Sequence, residues 1–153
     1  MTDSTEPLRR LDALEATEDI KKLKARYFRF VDEKNHDELG GLFTTDARIT
    51  TDGIDWPSPG AFVEVIRDLI GPAPTVHHGH MPEIDILGPD TASGIWAMED
   101  LLTFPAAPDA PEGHRGYGQY RETYRKVDGH WLIDSLDLTR FRMDPLPNWN
   151  ANA

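Results

Sequence analysis

At 153 residues, 39% of them hydrophobic and including four Trp, six Phe and four Tyr, the chain is sized for one domain spanning 1–153 with its own apolar core. A formal net charge of −11 without a Lys/Arg-rich patch argues against nucleic acid and membrane surfaces as partners. Zero cysteines exclude disulfides, thiolate metal sites and cysteine nucleophiles; with no signal-peptide-like N-terminus and no run of about 18 apolar residues, a cytoplasmic location is expected.

In chain order, a short helical piece over Leu8 to Leu14 precedes an amphipathic helix from Thr17 to Lys34. There Ile20, Leu23, Tyr27, Phe28, Phe30 and Val31 share one arc and Asp32 lies just off its edge. His36 to Phe43 reads as a further turn or two before a first strand near Arg48 to Thr51. Ser58 caps a helix over Pro59 to Ile70, which Gly71-Pro72 ends. Strand patterns follow over Thr75 to Leu87, Ala92 to Phe104, His114 to Val127 and Trp131 to Met143. Hairpin turns are expected at Gly88-Pro89-Asp90 and Asp128-Gly129, and a stiff proline-rich loop over Pro105 to Gly113. Helices followed by a meander predict an α+β fold: a cone-shaped, curved antiparallel sheet packed against N-terminal helices and enclosing an apolar pocket. The core spans 12–143, and 144–153 form a tail in which Trp149 could cover the pocket mouth or a neighbouring subunit.

Polar chemistry concentrates at His77-His78-Gly79-His80. In a regular strand His78 and His80 share a face, as in the H-x-H half of a metal site, but nothing in the spacing of Glu83, His114 or His130 brings a third ligand to them. They read as strand-end histidines with satisfied hydrogen bonds, and no metal is expected. Strand parity from Ile84 and Ile86 would turn His77 away from the core. Pro82, which donates no ladder hydrogen bond, permits a bulge that restores it. Asp32 lies near a helix C-terminus, where a carboxylate is electrostatically disfavoured unless it has a partner. Arg140 and Arg142 alternate with Phe141 on a strand, and the expectation is that one binds substrate while the other pairs with surface acids. Lys24, inside the apolar arc, is expected to snorkel to solvent. Trp56, Trp96, Met98, Tyr117, Tyr120 and Phe104 are candidates to line the pocket, against the plainer alternative of core packing.

Tyr27-Phe-Arg-Phe-Val-Asp32 on the long helix and Thr75-Val-His77 opening a strand resemble the SnoaL-like domain of the nuclear transport factor 2-like superfamily. Leu42-Phe43-x-x-Asp46-Ala47 and Gly129-His-Trp131-x-Ile133 add to the likeness over residues 12 to 143. The arrangement is similar to eliminating enzymes of that superfamily: bile acid 7-alpha-dehydratase, scytalone dehydratase and hexachlorocyclohexane dehydrochlorinase. The resemblance implies His77 as general base, Asp32 as its orienting partner, Tyr27 as a pocket phenol and Arg140 as a pocket arginine. No histidine lies between His80 and His114 to match the second one of scytalone dehydratase, and Tyr27 stands where the dehydrochlorinase has lysine, so the bile acid pattern fits best. Neutral imidazole suits proton abstraction beside a carbonyl near neutral pH, and a carboxylate fixes its tautomer. No G-x-G-x-x-G or P-loop motif appears, so no cofactor is expected. The expected function is a dehydratase-type lyase acting on a hydrophobic, steroid-like or polycyclic hydroxy-carbonyl substrate. The alternatives are a carbonyl-dependent isomerase or a noncatalytic ligand-binding or oligomerisation domain. By the same resemblance, a homodimer or homotrimer is expected.

Overall fold

A computed structural model describes residues 5–104 and 113–146. The opening helix α1 (Thr5–Asp32) runs unbroken for 28 residues, so the two helical pieces expected from the sequence are one. Nothing between them breaks a helix: Thr17 Oγ1 folds back on the Ala13 carbonyl at 2.8 Å, a bond a helix tolerates in its interior. From Ala16 onward Ile20, Leu23, Tyr27, Phe30 and Val31 are buried, whereas Leu8, Leu11 and Leu14 in the first half are exposed. Lys34, at φ 62, turns the chain into α2 (His36–Gly40).

Strand β1 (Phe43–Thr51) begins five residues before its expected start, and the unforeseen β2 (Ile54–Trp56) pairs back on it through Asp52-Gly53. Both turn residues have positive φ, 49 and 82, the twist that suits a tight hairpin. Helix α3 (Pro59–Ile70) starts where expected. Ser58 Oγ accepts the Ala61 N–H at 3.1 Å, Pro59 occupies the first turn, and Gly71 at φ 44 ends it.

Four long strands follow, β3 (Thr75–Ile86), β4 (Thr91–Thr103), β5 (Gly113–Val127) and β6 (His130–Pro145). The sheet order is β2-β1-β6-β5-β4-β3. All neighbours are antiparallel except β1 and β6, which run parallel, so the sheet is mixed rather than purely antiparallel. Hydrophobic periodicity fixes which face a strand buries and leaves its direction open.

Alternate residues of β4 and β5 turn inward against α1 and α3: Ala92, Trp96, Met98 and Leu102 from β4, Tyr120 and Tyr124 from β5. In β3 a register shift between His80 and Glu83, with Met81 at φ 29 and 91% exposed, supplies the break that Pro82 allowed. Before the bulge the odd-numbered positions face α1. A Cβ on Gly79 would lie 2.6 Å from Phe28 Cε2, so any side chain there would have to displace the Phe28 ring under the helix. After the bulge Ile84 and Ile86 face inward.

Lys24 does not snorkel. It is fully buried, hydrogen-bonded to Glu122 and capped by the Tyr120 ring at 3.4 Å and the Tyr27 ring at 4.2 Å. Glu122 also accepts from the Tyr124 hydroxyl at 2.5 Å, which in turn accepts from Trp96 Nε1 at 2.8 Å. Burial pushes the lysine's pKa down, against the pull of Glu122. Lys24→Met leaves Glu122 buried without its cation and is expected to cost about 3–5 kcal/mol in urea unfolding, with Lys24→Met/Glu122→Gln recovering part of that loss.

Candidate active site

β3 is an edge strand, so its outward N–H groups lack a sheet partner and invite a side-chain acceptor. Asp32, the last residue of α1, fills that role. Its Oδ2 accepts the His77 backbone N–H at 2.9 Å, and its Oδ1 accepts the Thr75 hydroxyl at 3.0 Å and stands 2.7 Å from His77 Nδ1. Burial by itself would raise the Asp32 pKa. The hydrogen bonds from the His77 ring and backbone and from Thr75 outweigh it and hold the carboxyl below its ordinary value. A carboxylate at Nδ1 selects the tautomer with the proton on that nitrogen and leaves the Nε2 lone pair free. The His77 side chain is only 9% exposed, against 26% for Asp32, and it lines a cavity of about 200 Å³ between the sheet and the two longer helices.

Tyr27 and Val31 of α1, with Phe62, Ile66 and Leu69 of α3, form one side of this cavity. Leu102, Tyr120 and Leu138 of the sheet form the other, and Trp56 and Phe104 border it. Burial first, then the Glu122 charge, raises the Tyr27 pKa; burial likewise raises that of Tyr120, so both phenols keep their protons and act as hydrogen-bond donors. A wider polar groove of about 530 Å³ beside β1 is lined by Asp46, Arg48, Thr50, Asp55 and Asp137. The smaller cavity is the candidate site because it holds the buried ionisable groups.

At its polar end Arg140 is clamped by two carboxylates. Nε and Nη2 donate to Asp100 Oδ2 at 3.0 and 2.5 Å, and Nη1 donates to Asp52 Oδ2 at 2.6 Å. Burial works against the guanidinium charge, but Asp100 and Asp52 more than offset it and raise the pKa. Asp100 itself has a fully buried side chain; its Oδ1 and the His114 Nε2 lie 4.0 Å apart, and neither has a hydrogen-bond partner. Burial also lowers the His114 pKa, Asp100 opposing it, so this cavity-lining imidazole is neutral at pH 7. Gly116 makes room for the group: a Cβ there would approach Asp100 Oδ1 to 2.3 Å and Arg140 Nε to 2.8 Å.

Of the residues singled out from sequence, the structure brings Tyr27, His77, Trp56, Tyr120 and Arg140 to the cavity, with Asp32 directly behind His77. Three expected lining residues lie elsewhere. Trp96 and Met98 are buried in the core under α1, where Trp96 serves the Lys24–Glu122 network. Tyr117 is on the outer face of the sheet, in a groove with Val76 and Leu101, because the inward parity of β5 belongs to its even-numbered residues. Arg142 pairs with Asp144 at the surface. Trp149 and the loop over 105–112 lie outside the described residues. Asp52, Asp100 and His114 were not foreseen. A signal existed for Asp100, a carboxylate in phase with Trp96, Met98 and Leu102 on an otherwise apolar strand face.

Because Asp32 has a depressed pKa in the folded chain, its contribution to stability is complete above the ordinary carboxylate value of 3.8 and is lost as the pH falls through the lower folded value. Asp32→Asn is therefore expected to cost about 1–3 kcal/mol at pH 7 and to flatten the acid limb of stability measured by urea unfolding between pH 7 and 3.

Residues 12–137 match the SnoaL-like domain family. A probable cyclase of Gibberella zeae is 27% identical over 141 residues, covering 82% of this chain and 91% of the fungal protein. Among solved structures, a protein of Novosphingobium aromaticivorans provisionally assigned as scytalone dehydratase superposes with a TM-score of 0.76 at 21% identity, covering 91% of this chain and 97% of the other. A type 3 hexachlorocyclohexane dehydrochlorinase of Novosphingobium barchaimii gives 0.79 at 20% identity, covering 94% and 99%. With the helices, the mixed six-stranded sheet and the cavity between them, the match assigns this chain to the SnoaL-like family, with the nuclear transport factor 2-like fold.

Proposed function

We propose that the protein is a cofactor-independent lyase, a dehydratase that removes water from a hydrophobic hydroxy-carbonyl compound. The observation that carries this reading is His77, backed by Asp32, in the wall of a largely apolar cavity. His77 Nε2 takes the proton from the carbon beside the carbonyl, and Asp32 stabilises the imidazolium that forms. The electrons of the broken C–H bond pass into an enolate, whose oxygen accepts hydrogen bonds from the neutral Tyr27 or Tyr120 phenols. Collapse of the enolate forms the C=C bond and breaks the C–O bond at the neighbouring carbon; the departing hydroxide takes up a proton and leaves as water. The His77 imidazolium formed in the first step returns its proton to the departing hydroxide, and the neutral His114 of the cavity wall is placed to hydrogen-bond the leaving oxygen. The step involves no net oxidation and balances without a cofactor.

Two of the structural relatives carry names of eliminating enzymes, which supports this choice of reaction class. A cavity of about 200 Å³ is smaller than the ~300–1,000 Å³ typical of sites for drug-sized ligands, and so favours a substrate of one or two rings over a four-ring steroid.

A panel of β-hydroxy ketones of increasing ring number, followed by mass spectrometry for loss of water, tests the proposal. Wild type is expected to turn over the compact members, His77→Ala to lose about 10²–10⁴-fold in kcat, and Asp32→Asn about 10²-fold or more. A product of unchanged mass with a migrated double bond would make the protein an isomerase, and binding without turnover would make it a ligand carrier.

A further inference from the structure

The bulge that turns His77 inward sends its neighbours His78 and His80 to the opposite, outer face of the sheet, where Glu99 of β4 joins them. His78 and Glu99 are direct cross-strand partners, and His80 lies two residues further along the same face. His78 Nδ1 is 3.1 Å and His80 Nε2 3.7 Å from Glu99 Oε1, and one ligand atom from each residue lies within 4.8 Å of the other two. Among the described residues this is the grouping of three His or carboxylate side chains with such spacing.

We propose that His78, His80 and Glu99 form a surface site for a divalent transition-metal ion of the zinc type, separate from the cavity and independent of the lyase reading. Zinc bonds of ~2.0–2.2 Å place tetrahedral ligand atoms ~3.3 Å apart, so two of the contacts already fall near the required separation. Side-chain rotation closes the remainder at little cost, because His78, His80 and Glu99 are 55%, 53% and 44% exposed and carry no packing load. Two imidazoles and one carboxylate suit Zn²⁺, Ni²⁺ and Cu²⁺, and the β3–β4 ladder holds the three backbone positions in fixed register. The overall charge of −11 favours a cation, whereas Arg115 beside Glu99 opposes one. With three protein ligands and water completing the shell, the expected affinity is micromolar rather than that of a closed four-ligand site.

Calorimetric titration of chelator-stripped protein with Zn²⁺ at neutral pH is the test, with histidine ring NMR as the second readout. One ion is expected per chain, and His78→Ala, His80→Ala and Glu99→Gln should each weaken binding at least tenfold. His77→Ala and His130→Ala should bind as wild type does, and the ring signals of His78 and His80 should move together while that of His130 stays. Unchanged affinity in His78→Ala/His80→Ala, or Zn²⁺ shifting ring signals other than those two, would overturn the proposal in favour of adventitious binding elsewhere.

Discussion

The whole arrangement hangs on the Asp32 carboxylate. As the last residue of α1 it carries a negative charge at the end of a helix whose own dipole is negative, a placement that stands only when donors compensate. The edge strand β3 provides them: the His77 N–H, the Thr75 hydroxyl and the His77 ring. One carboxylate thus satisfies an otherwise unpaired strand edge, pins the helix end to the sheet and orients the imidazole that faces the cavity. Remove it and helix, edge and ring lose their common anchor.

Beyond that anchor, the inner face of the sheet carries charge in two compensated groups. Lys24 and Glu122, with Tyr124 and Trp96 extending the network, fill the space under α1, and the Lys24 ammonium rests on the faces of two tyrosine rings. Arg140, held by Asp100 and Asp52, occupies the end bordered by His114. Each cation has its carboxylate, so burial is tolerated. The unpartnered atoms at the second group, Asp100 Oδ1 and His114 Nε2, are the exception. A buried polar atom without a partner costs about 1–3 kcal/mol, so this end of the inner face is the less well compensated of the two.

The helices, the long strands and most turns were legible because each has a local cause: an apolar arc in α1, Ser58 and Pro59 at the start of α3, Asp128-Gly129 between β5 and β6. Asp52-Gly53 carries the same turn signal, but the three-residue β2 behind it is too short to show a strand pattern of its own. What stayed hidden was long-range. The parallel pairing of β1 with β6 leaves no mark in either strand's own pattern. Lys24 looked like a snorkelling residue on the helix alone, since its partner Glu122 lies 98 residues away. Tyr117 was misplaced for a different reason: a strand with apolar residues on both faces gives period 2 without saying which face is the core, and the glycines at 116 and 118 remove the side chains that would have decided it.

The bulge at Met81-Pro82 shows how one local irregularity distributes chemistry between two surfaces. In a regular strand ending in Ile84 and Ile86, His78 and His80 would face the core and His77 the solvent. One inserted residue reverses the parity of everything before it, so the single His77 enters the cavity wall, backed by Asp32, while the pair is presented outside beside Glu99. Burying two imidazoles against the aromatic underside of α1, where even a Cβ at Gly79 collides with Phe28, would require room and a hydrogen-bond partner for each ring. The bulge is therefore as much a part of the site as the histidine itself: it decides which of three adjacent imidazoles is desolvated and which two remain free to meet a ligand from solvent.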